Sequence, residues 1–127
     1  MDSLKATMMQ AVSGMQLQSK RIDISSQNVS NADTPGYRRK ILSIEQAPTA
    51  ADAFIATRVE LDETEGERSY DPASPLADAE GYVTASNVSL VTEMADMREA
   101  NRGYEANLNS FRQARSMYQS LLDILRR

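Results

Sequence analysis

The fold is decided by the stretch Ser26-Gln27-Asn28-Val29-Ser30-Asn31-Ala32-Asp33-Thr34-Pro35-Gly36-Tyr37-Arg38-Arg39-Lys40, which is expected to end a helix and start an extended segment. Its Asn and Asp side chains bond readily to nearby backbone groups, so the chain leaves helical geometry there. Pro35 and Gly36 then favour a type II turn, because Pro presets φ at the second position and Gly accepts a positive φ at the third. The predicted turn motif comprises Asn28, Asn31, Asp33, Pro35, Gly36 and Tyr37.

The sequence before this turn predicts one long helix. From Leu4 to Val29 apolar residues recur every seven positions, which is typical of a helix that packs along a single seam. Gly14 lies inside it and costs about 1 kcal/mol relative to Ala, so it is either tolerated or allows a close helix approach. The predicted packing residues of this helix are Leu4, Met8, Met15, Ile22 and Val29, with Ala11 in the companion position.

A second, longer seam occupies the end of the chain. Asn101 and Arg115 interrupt it, and they either fix the register of packing or lie at a solvated edge. Gly103 within this helix is likewise either tolerated or allows a close helix approach. The predicted packing residues here are Leu90, Met94, Met97, Tyr104, Leu108, Phe111, Tyr118, Leu122 and Leu125.

The segment between the helices has strand-compatible runs separated by turn-rich sequence. The runs predict short strands at 41–45, 54–61, 69–70 and 82–84. From Glu60 to Glu80 there are eight acidic residues and one basic residue, Arg68, which indicates a solvated loop. The spacing of the acidic residues does not match a helix-loop-helix calcium loop, so a metal site is not expected.

These patterns predict a mainly α fold with a small β region. Two long terminal helices are expected to pack as a coiled-coil-like pair, joined by a short β-rich or irregular middle segment. The predicted units are an N-terminal helix over 1–31, a turn and insert over 32–86, and a C-terminal helix over 87–127.

Composition excludes several classes of function. The net charge is −4, and the one basic run, Arg38-Arg39-Lys40, is interpreted as the solvated flank of the turn, so nucleic-acid binding is not expected. No stretch approaches the roughly 20 apolar residues that span a bilayer. Residues 1–15 lack the continuous apolar run of a cleavable signal, so we expect synthesis in the cytoplasm.

Catalysis and cofactors are not expected either. The chain has no Cys and no His, which removes the commonest general base, metal ligand and strong nucleophile. Asp71, Asp78 and Glu80 could form a carboxylate pair, but a turn rich in Asp and Pro explains them more simply.

The turn motif and the two seams closely resemble the flagellar rod, hook and hook-associated family of axial proteins. The resemblance rests on residues 26–37, on Ala100-Asn101-Arg102-Gly103-Tyr104-Glu105-Ala106-Asn107 and on the terminal heptads. Tyr70-Asp71-Pro72-Ala73-Ser74-Pro75-Leu76-Ala77-Asp78-Ala79-Glu80-Gly81-Tyr82-Val83, followed by Asn87-Val88, resembles the proximal rod members in particular. Ser74 and Ser86 stand where relatives commonly have His and Pro.

The resemblance implies a structural subunit of the proximal rod in the flagellar basal body. Such proteins are exported through the flagellar type III apparatus and assemble by their terminal helices into a torque-transmitting tube that crosses the periplasm. The implied partners are other copies, the other proximal and distal rod proteins, and membrane-ring and export-gate proteins at the rod base. The packing residues would carry assembly, although an ordinary intramolecular core would use them equally. Tyr70 and Tyr82 are expected either on an outer surface or buried within the insert.

One alternative is a cytoplasmic coiled-coil export chaperone or adaptor. The seams alone would permit it. An adaptor that is only a helical hairpin has no use for some 50 residues of acidic, Pro-containing insert, so the insert favours the rod subunit.

Overall fold

The computed structural model describes residues 2–46 and 55–127. Its elements in chain order are α1 (Asp2–Ser30), β1 (Lys40–Gln46), β2 (Ala56–Leu61), β3 (Arg68–Tyr70), β4 (Tyr82–Thr84) and α2 (Leu90–Leu125). The predicted fold class is confirmed, and the four predicted strands lie within two residues of the observed ones, except that Phe54 falls outside the described residues. Whether 1–31, 32–86 and 87–127 act as separate units stays a prediction.

The two helices pack antiparallel along most of their length. Their register is fixed by two glycines, each facing an amide side chain of the other helix. A Cβ at Gly14 would lie 2.6 Å from the side chain of Asn107, and a Cβ at Gly103 would lie 2.7 Å from that of Gln18. Both glycines therefore mark close helix approach.

Small and polar residues fill the seam between the helices. On α2 the inward positions recur every seven residues, at Glu93, Ala100, Asn107 and Ala114, and only Asn107 among them is more than 3% exposed. Among the described residues, the buried apolar side chains are Ala11, Ile24, Ala100 and Ala114, and the buried polar ones are Ser13, Ser25, Asn28 and Glu93. The helix pair therefore has no core of large aliphatic side chains within the described part of the chain.

The first hairpin, β1–β2, is antiparallel, with a register shift between Ile44 and Gln46. It packs against the side of α1 where Ile24 faces Leu42 and Val59 across a shallow groove. Lys40 Nζ donates to Gln27 Oε1 at 2.7 Å, which ties the start of β1 to α1. This hairpin thus follows directly from the turn at the end of α1.

The second hairpin, β3–β4, is short and lies beside the turn motif. Gly36 N donates to the carbonyl oxygen of Thr84 at 3.0 Å, and Ala85 N donates to that of Glu67 at 2.8 Å. A Cβ at Gly66 would overlap the Ala85 carbonyl group, so this approach requires glycine. α2 then begins after Ser89, whose side chain caps it by accepting from Thr92 N.

Neither described helix is long and apolar enough to cross a membrane.

Candidate functional site

The turn motif has the geometry expected from its sequence. Tyr37 N donates to the Thr34 carbonyl oxygen at 3.2 Å, and Gly36 has φ of +74°, as the third position of a type II turn requires. Asn31 Nδ2 donates to the Gln27 carbonyl oxygen at 2.8 Å, so it closes the last turn of α1. Asp33 and Pro35 are exposed. The turn reverses the chain and delivers Tyr37 and the residues after it to the helix pair.

Asn28 is the centre of the junction between turn, strand and helix. It is 1% exposed. Its Oδ1 accepts from Tyr37 Oη and from Lys40 N, both at 2.9 Å. Its Nδ2 donates to the Lys40 carbonyl oxygen at 3.0 Å and to Glu93 Oε1 at 3.2 Å. All four hydrogen-bonding positions of the amide are used, so Asn28 holds β1 and α2 in fixed positions against α1.

Glu93 is a fully buried carboxylate that meets this amide from α2. Its charge is balanced by Arg39, whose Nε donates to Glu93 Oε1 and whose Nη2 donates to Asp96 Oδ2 at 2.7 Å. Glu93 Oε2 has no partner among the described residues. A cavity of about 130 Å³ lies beside the carboxylate, lined by residues of α1, β1 and α2 that include Arg21 and Ser25.

The ionic surroundings shift the pKa of two groups at this junction. Burial, with the nearby Glu93 charge, raises the pKa of Tyr37 above its usual value of about 10. The pKa of Arg39 is raised too, because the hydrogen bond and the charges of Glu93 and Asp96 outweigh desolvation, which is the largest single effect and acts in the opposite direction. Tyr37 is thus held neutral and Arg39 charged.

Asn87 closes the junction from the segment before α2. Its Oδ1 accepts from Arg39 N, and its Nδ2 donates to the carbonyl oxygens of Asp62 at 3.2 Å and Thr64 at 2.7 Å. Asn87 therefore joins the end of β2 to the start of β1. We call Asn28, Tyr37, Arg39, Asn87 and Glu93 the polar junction.

Sequence reasoning found part of the polar junction. It identified Asn28 and Tyr37 but missed Arg39, Asn87 and Glu93. The interpretation of Arg38-Arg39-Lys40 as a solvated flank is wrong for Arg39, whose side chain is 20% exposed and doubly ion-paired. Glu93 lies seven residues before Ala100, but its inward position becomes visible only once the partner helix is placed.

The predicted packing residues flank the seam instead of filling its centre. Those that are partly buried are Leu4, Met8, Met15, Ile22, Met97, Leu108, Phe111, Tyr118 and Leu122. Those that are exposed are Val29, Leu90, Met94, Tyr104 and Leu125. Asn101 and Arg115 are exposed as well, as their solvated-edge interpretation requires. The role of the predicted packing residues in assembly stays a prediction.

The contacts of the polar junction hold α1, β1 and α2 together. No group of three or more acidic side chains among the described residues is placed to hold a metal ion. Asp71, Asp78 and Glu80 are exposed, and Asp78 instead caps its own turn by accepting from Glu80 N and Tyr82 N, each at 2.9 Å.

Comparison with known proteins agrees with the resemblance drawn from the turn motif. A family model described as "Flagella basal body rod protein" matches residues 8–38, and one described as "Flagellar basal body rod FlgEFG protein C-terminal" matches residues 79–124. The two matches cover the turn, the polar junction except Arg39, and almost all of α2.

Relatives match over nearly the whole chain. The flagellar basal-body rod protein FlgC of Agrobacterium fabrum is 40% identical, with 99% of this chain and 98% of the relative covered. The proteins of the same name from Salmonella typhimurium and Borreliella burgdorferi are 32% and 34% identical, covering 90% and 91% of this chain and 92% and 93% of the relatives. The chain therefore belongs to the family of flagellar basal-body rod proteins, structural components of the bacterial flagellum.

Proposed function

We propose that this chain is a subunit of the proximal rod, exported through the flagellar type III apparatus and assembled by its terminal helices into a helical tube that transmits torque. The observation that carries this proposal is the exposure of large apolar side chains along both helices. Family membership supplies the coarser statement, a structural protein of the flagellar basal body.

The exposed apolar side chains are too many for a helix pair that works alone. On α2, Val91, Ile124 and Leu125 are 79%, 63% and 72% exposed, and on α1 Met9 is 57% exposed. Large apolar side chains exposed on a helix favour association, because burying apolar surface yields about 25 cal/mol per Å². Neighbouring subunits would provide that burial.

The seam also explains why the isolated chain would fold poorly. Apart from Ile24, its buried residues are small or polar, so the helix pair gains little hydrophobic stabilisation to offset the entropy of ordering two long helices. Ordering of the terminal segments is then coupled to assembly. This coupling keeps the chain suitable for export and prevents premature polymerisation in the cytoplasm.

The proposed partners follow from a place in the rod. They are other copies of this chain, the other proximal and distal rod proteins, and membrane-ring and export-gate proteins at the base of a tube that crosses the periplasm. The names of the relatives support the rod, and the individual neighbours are part of the proposal.

The polar junction argues against the cytoplasmic export adaptor. Glu93, Arg39 and Asn87 tie the insert to both helices through buried hydrogen bonds, so the insert is a fixed part of the subunit. A helical hairpin that only binds export cargo would not need this connection.

The test is retention in the assembled organelle. The gene is deleted in its host, and an epitope-tagged full-length copy is supplied. We expect the tagged chain to restore swimming and to remain in hook–basal bodies after detergent and alkali washing. Restored swimming without retention would overturn the structural-subunit proposal in favour of the adaptor.

A further inference from the structure

The β3–β4 hairpin and the turn that joins its strands carry exposed apolar side chains that the helix packing does not use. Tyr70, Leu76 and Tyr82 are 67%, 62% and 38% exposed. The two tyrosine rings meet edge to face with centroids 5.4 Å apart. We call these three residues the tyrosine patch.

The tyrosine patch is held in place by its own ion pairs and turns. The Arg68 guanidinium lies 4.8 Å from the Tyr82 ring centroid, and its Nη2 lies 2.8 Å from Asp78 Oδ2. Hydrogen bonds from the Tyr82 and Glu80 backbone hold the pKa of Asp78 below its usual value. Gly81 has φ of +89°, and a Cβ there would lie 2.9 Å from the Tyr70 ring. The two tyrosine rings are therefore held in a fixed arrangement.

The surroundings of the tyrosine patch are acidic. Residues 67–82 contain four carboxylates and one cation, Arg68, for a net charge of −3. A partner surface should accordingly present cations that can also stack on aromatic rings, which is characteristic of arginine.

The exposed side of α2 has that chemistry. Residues 98–127 contain six arginines and three carboxylates, for a net charge of +3. Four of these arginines are exposed and form no ion pair within the described residues, and we call them the arginine face: Arg98, Arg102, Arg112 and Arg115.

The tyrosine patch cannot reach most of the arginine face of its own molecule. β4 ends at Thr84, six residues before α2 begins, so the hairpin lies at the N-terminal end of that helix. Arg112 is 22 residues further along α2, about 33 Å away at 1.5 Å per residue. A contact between the two surfaces must be made between molecules.

We propose that the tyrosine patch of one copy docks on the arginine face of α2 of a second copy. Arginines would stack on Tyr70 and Tyr82 and pair with the acidic rim, while Leu76 packs on their aliphatic stems. Two different surfaces meet, so the contact is heterologous, and a heterologous contact can repeat along a helical tube without closing into a ring. This inference rests on the proposed function as a rod subunit.

Cross-linking in assembled rods tests the contact directly. The chain has no native cysteine, so Leu76→Cys and Ser116→Cys can be introduced in two differently tagged copies that are expressed together. Ser116 adjoins Arg115. After mild oxidation of washed basal bodies, we expect a disulfide-linked product that carries both tags. Chains that are retained without forming this product would overturn the inference. Chains carrying only one of the two cysteines are tested as well, and a disulfide from such a chain to a different rod protein would also overturn it.

Charge exchange provides a second, independent test. Arg112→Glu with Arg115→Glu should reduce retention by about tenfold, because like charges face one another across the contact. Adding Asp71→Arg and Glu80→Arg to the same chain should restore retention. Glu63→Arg with Glu65→Arg is the matched control in the same acidic segment and should not restore it. Equal behaviour of the two pairs would contradict the inference, whereas wild-type chain missing from basal bodies would contradict the proposed function instead.

Discussion

Asn28, near the end of α1, and Glu93, near the start of α2, are both buried where the two helices meet. Their exposed fractions are 1% and 0%. Every polar atom of Asn28 has a partner, and one oxygen of Glu93 is shared between Asn28 and Arg39. Buried polar groups are costly when left unpaired, so removing one member should cost more than its exposed neighbours would.

Replacing Glu93 by Ala should destabilise the assembled subunit by about 3 kcal/mol, because Asn28 loses one hydrogen-bond acceptor and Arg39 loses its fully buried ion-pair partner. The urea midpoint at which the chain leaves washed basal bodies measures this cost. Asp96→Ala is the control, since that carboxylate is 36% exposed and its ion pair with Arg39 is worth about 0.5 kcal/mol. Equal shifts of the two midpoints would refute a special role for Glu93.

Replacing Tyr37 by Phe should cost about 1 kcal/mol through the lost hydrogen bond to Asn28. The stability of the same variant should also fall less at alkaline pH than that of the wild-type chain. The folded state raises the pKa of Tyr37, so its contribution to stability is constant below about 10 and declines as pH rises through the raised value. Urea midpoints at neutral pH and above pH 10 measure both effects, with the wild-type chain as the reference. If the urea midpoint of the wild-type chain fell no further between neutral pH and pH above 10 than that of Tyr37→Phe, Tyr37 would not be the source of the alkaline sensitivity.

The residues that could be predicted from the sequence are those that shape the backbone in their own neighbourhood. Asn31, Pro35 and Gly36 act within the turn, and turn chemistry is readable from composition. Arg39 and Asn87 act through partners 54 and 48 residues away, so nothing nearby in the sequence marks them.

The helices approach closely because glycine stands where each faces a side chain of the other. Gln18 opposes Gly103, and Asn107 opposes Gly14. The polar amides also bond locally, since Asn107 Nδ2 donates to the Gly103 carbonyl oxygen at 2.9 Å. This pairing of glycine and amide sets the antiparallel register.

Replacing Gly103 by Leu should push the helices apart and cost about 1–3 kcal/mol, although Leu favours helix formation by itself. Ala106→Leu is the matched control, because Ala106 is exposed on the same helix. The urea midpoint for release from basal bodies should fall only for Gly103→Leu. A midpoint unchanged or raised by that substitution would show that the helices do not pack this closely in the rod.

Helices, strands and their order could be predicted from heptad spacing and strand-compatible runs. The face of α2 that meets α1 could not, because Ala100, Asn107 and Ala114 carry little hydropathy signal. The larger residues beside them dominate the pattern. A seam of small residues is visible only once the partner helix is placed.

The whole molecule is a helix pair with a small insert, a seam of mainly small and polar residues, and large apolar side chains exposed on both helices. Met94, Met117 and Ile124 are 59%, 57% and 63% exposed, more than half of each side chain. We propose that these exposed apolar side chains are the physical basis for assembly, because most helical stability comes from packing an apolar face.

Thiol labelling of single-cysteine variants in washed basal bodies tests whether neighbouring subunits cover the exposed apolar side chains of α2. Met94→Cys and Ile124→Cys should react much more slowly in intact basal bodies than after acid dissociation, because neighbouring subunits cover these positions. Thr64→Cys, in the exposed segment between β2 and β3, serves as the control for reagent access. If Met94→Cys and Ile124→Cys were labelled as fast as Thr64→Cys in intact basal bodies, the helices would not be the assembly surface.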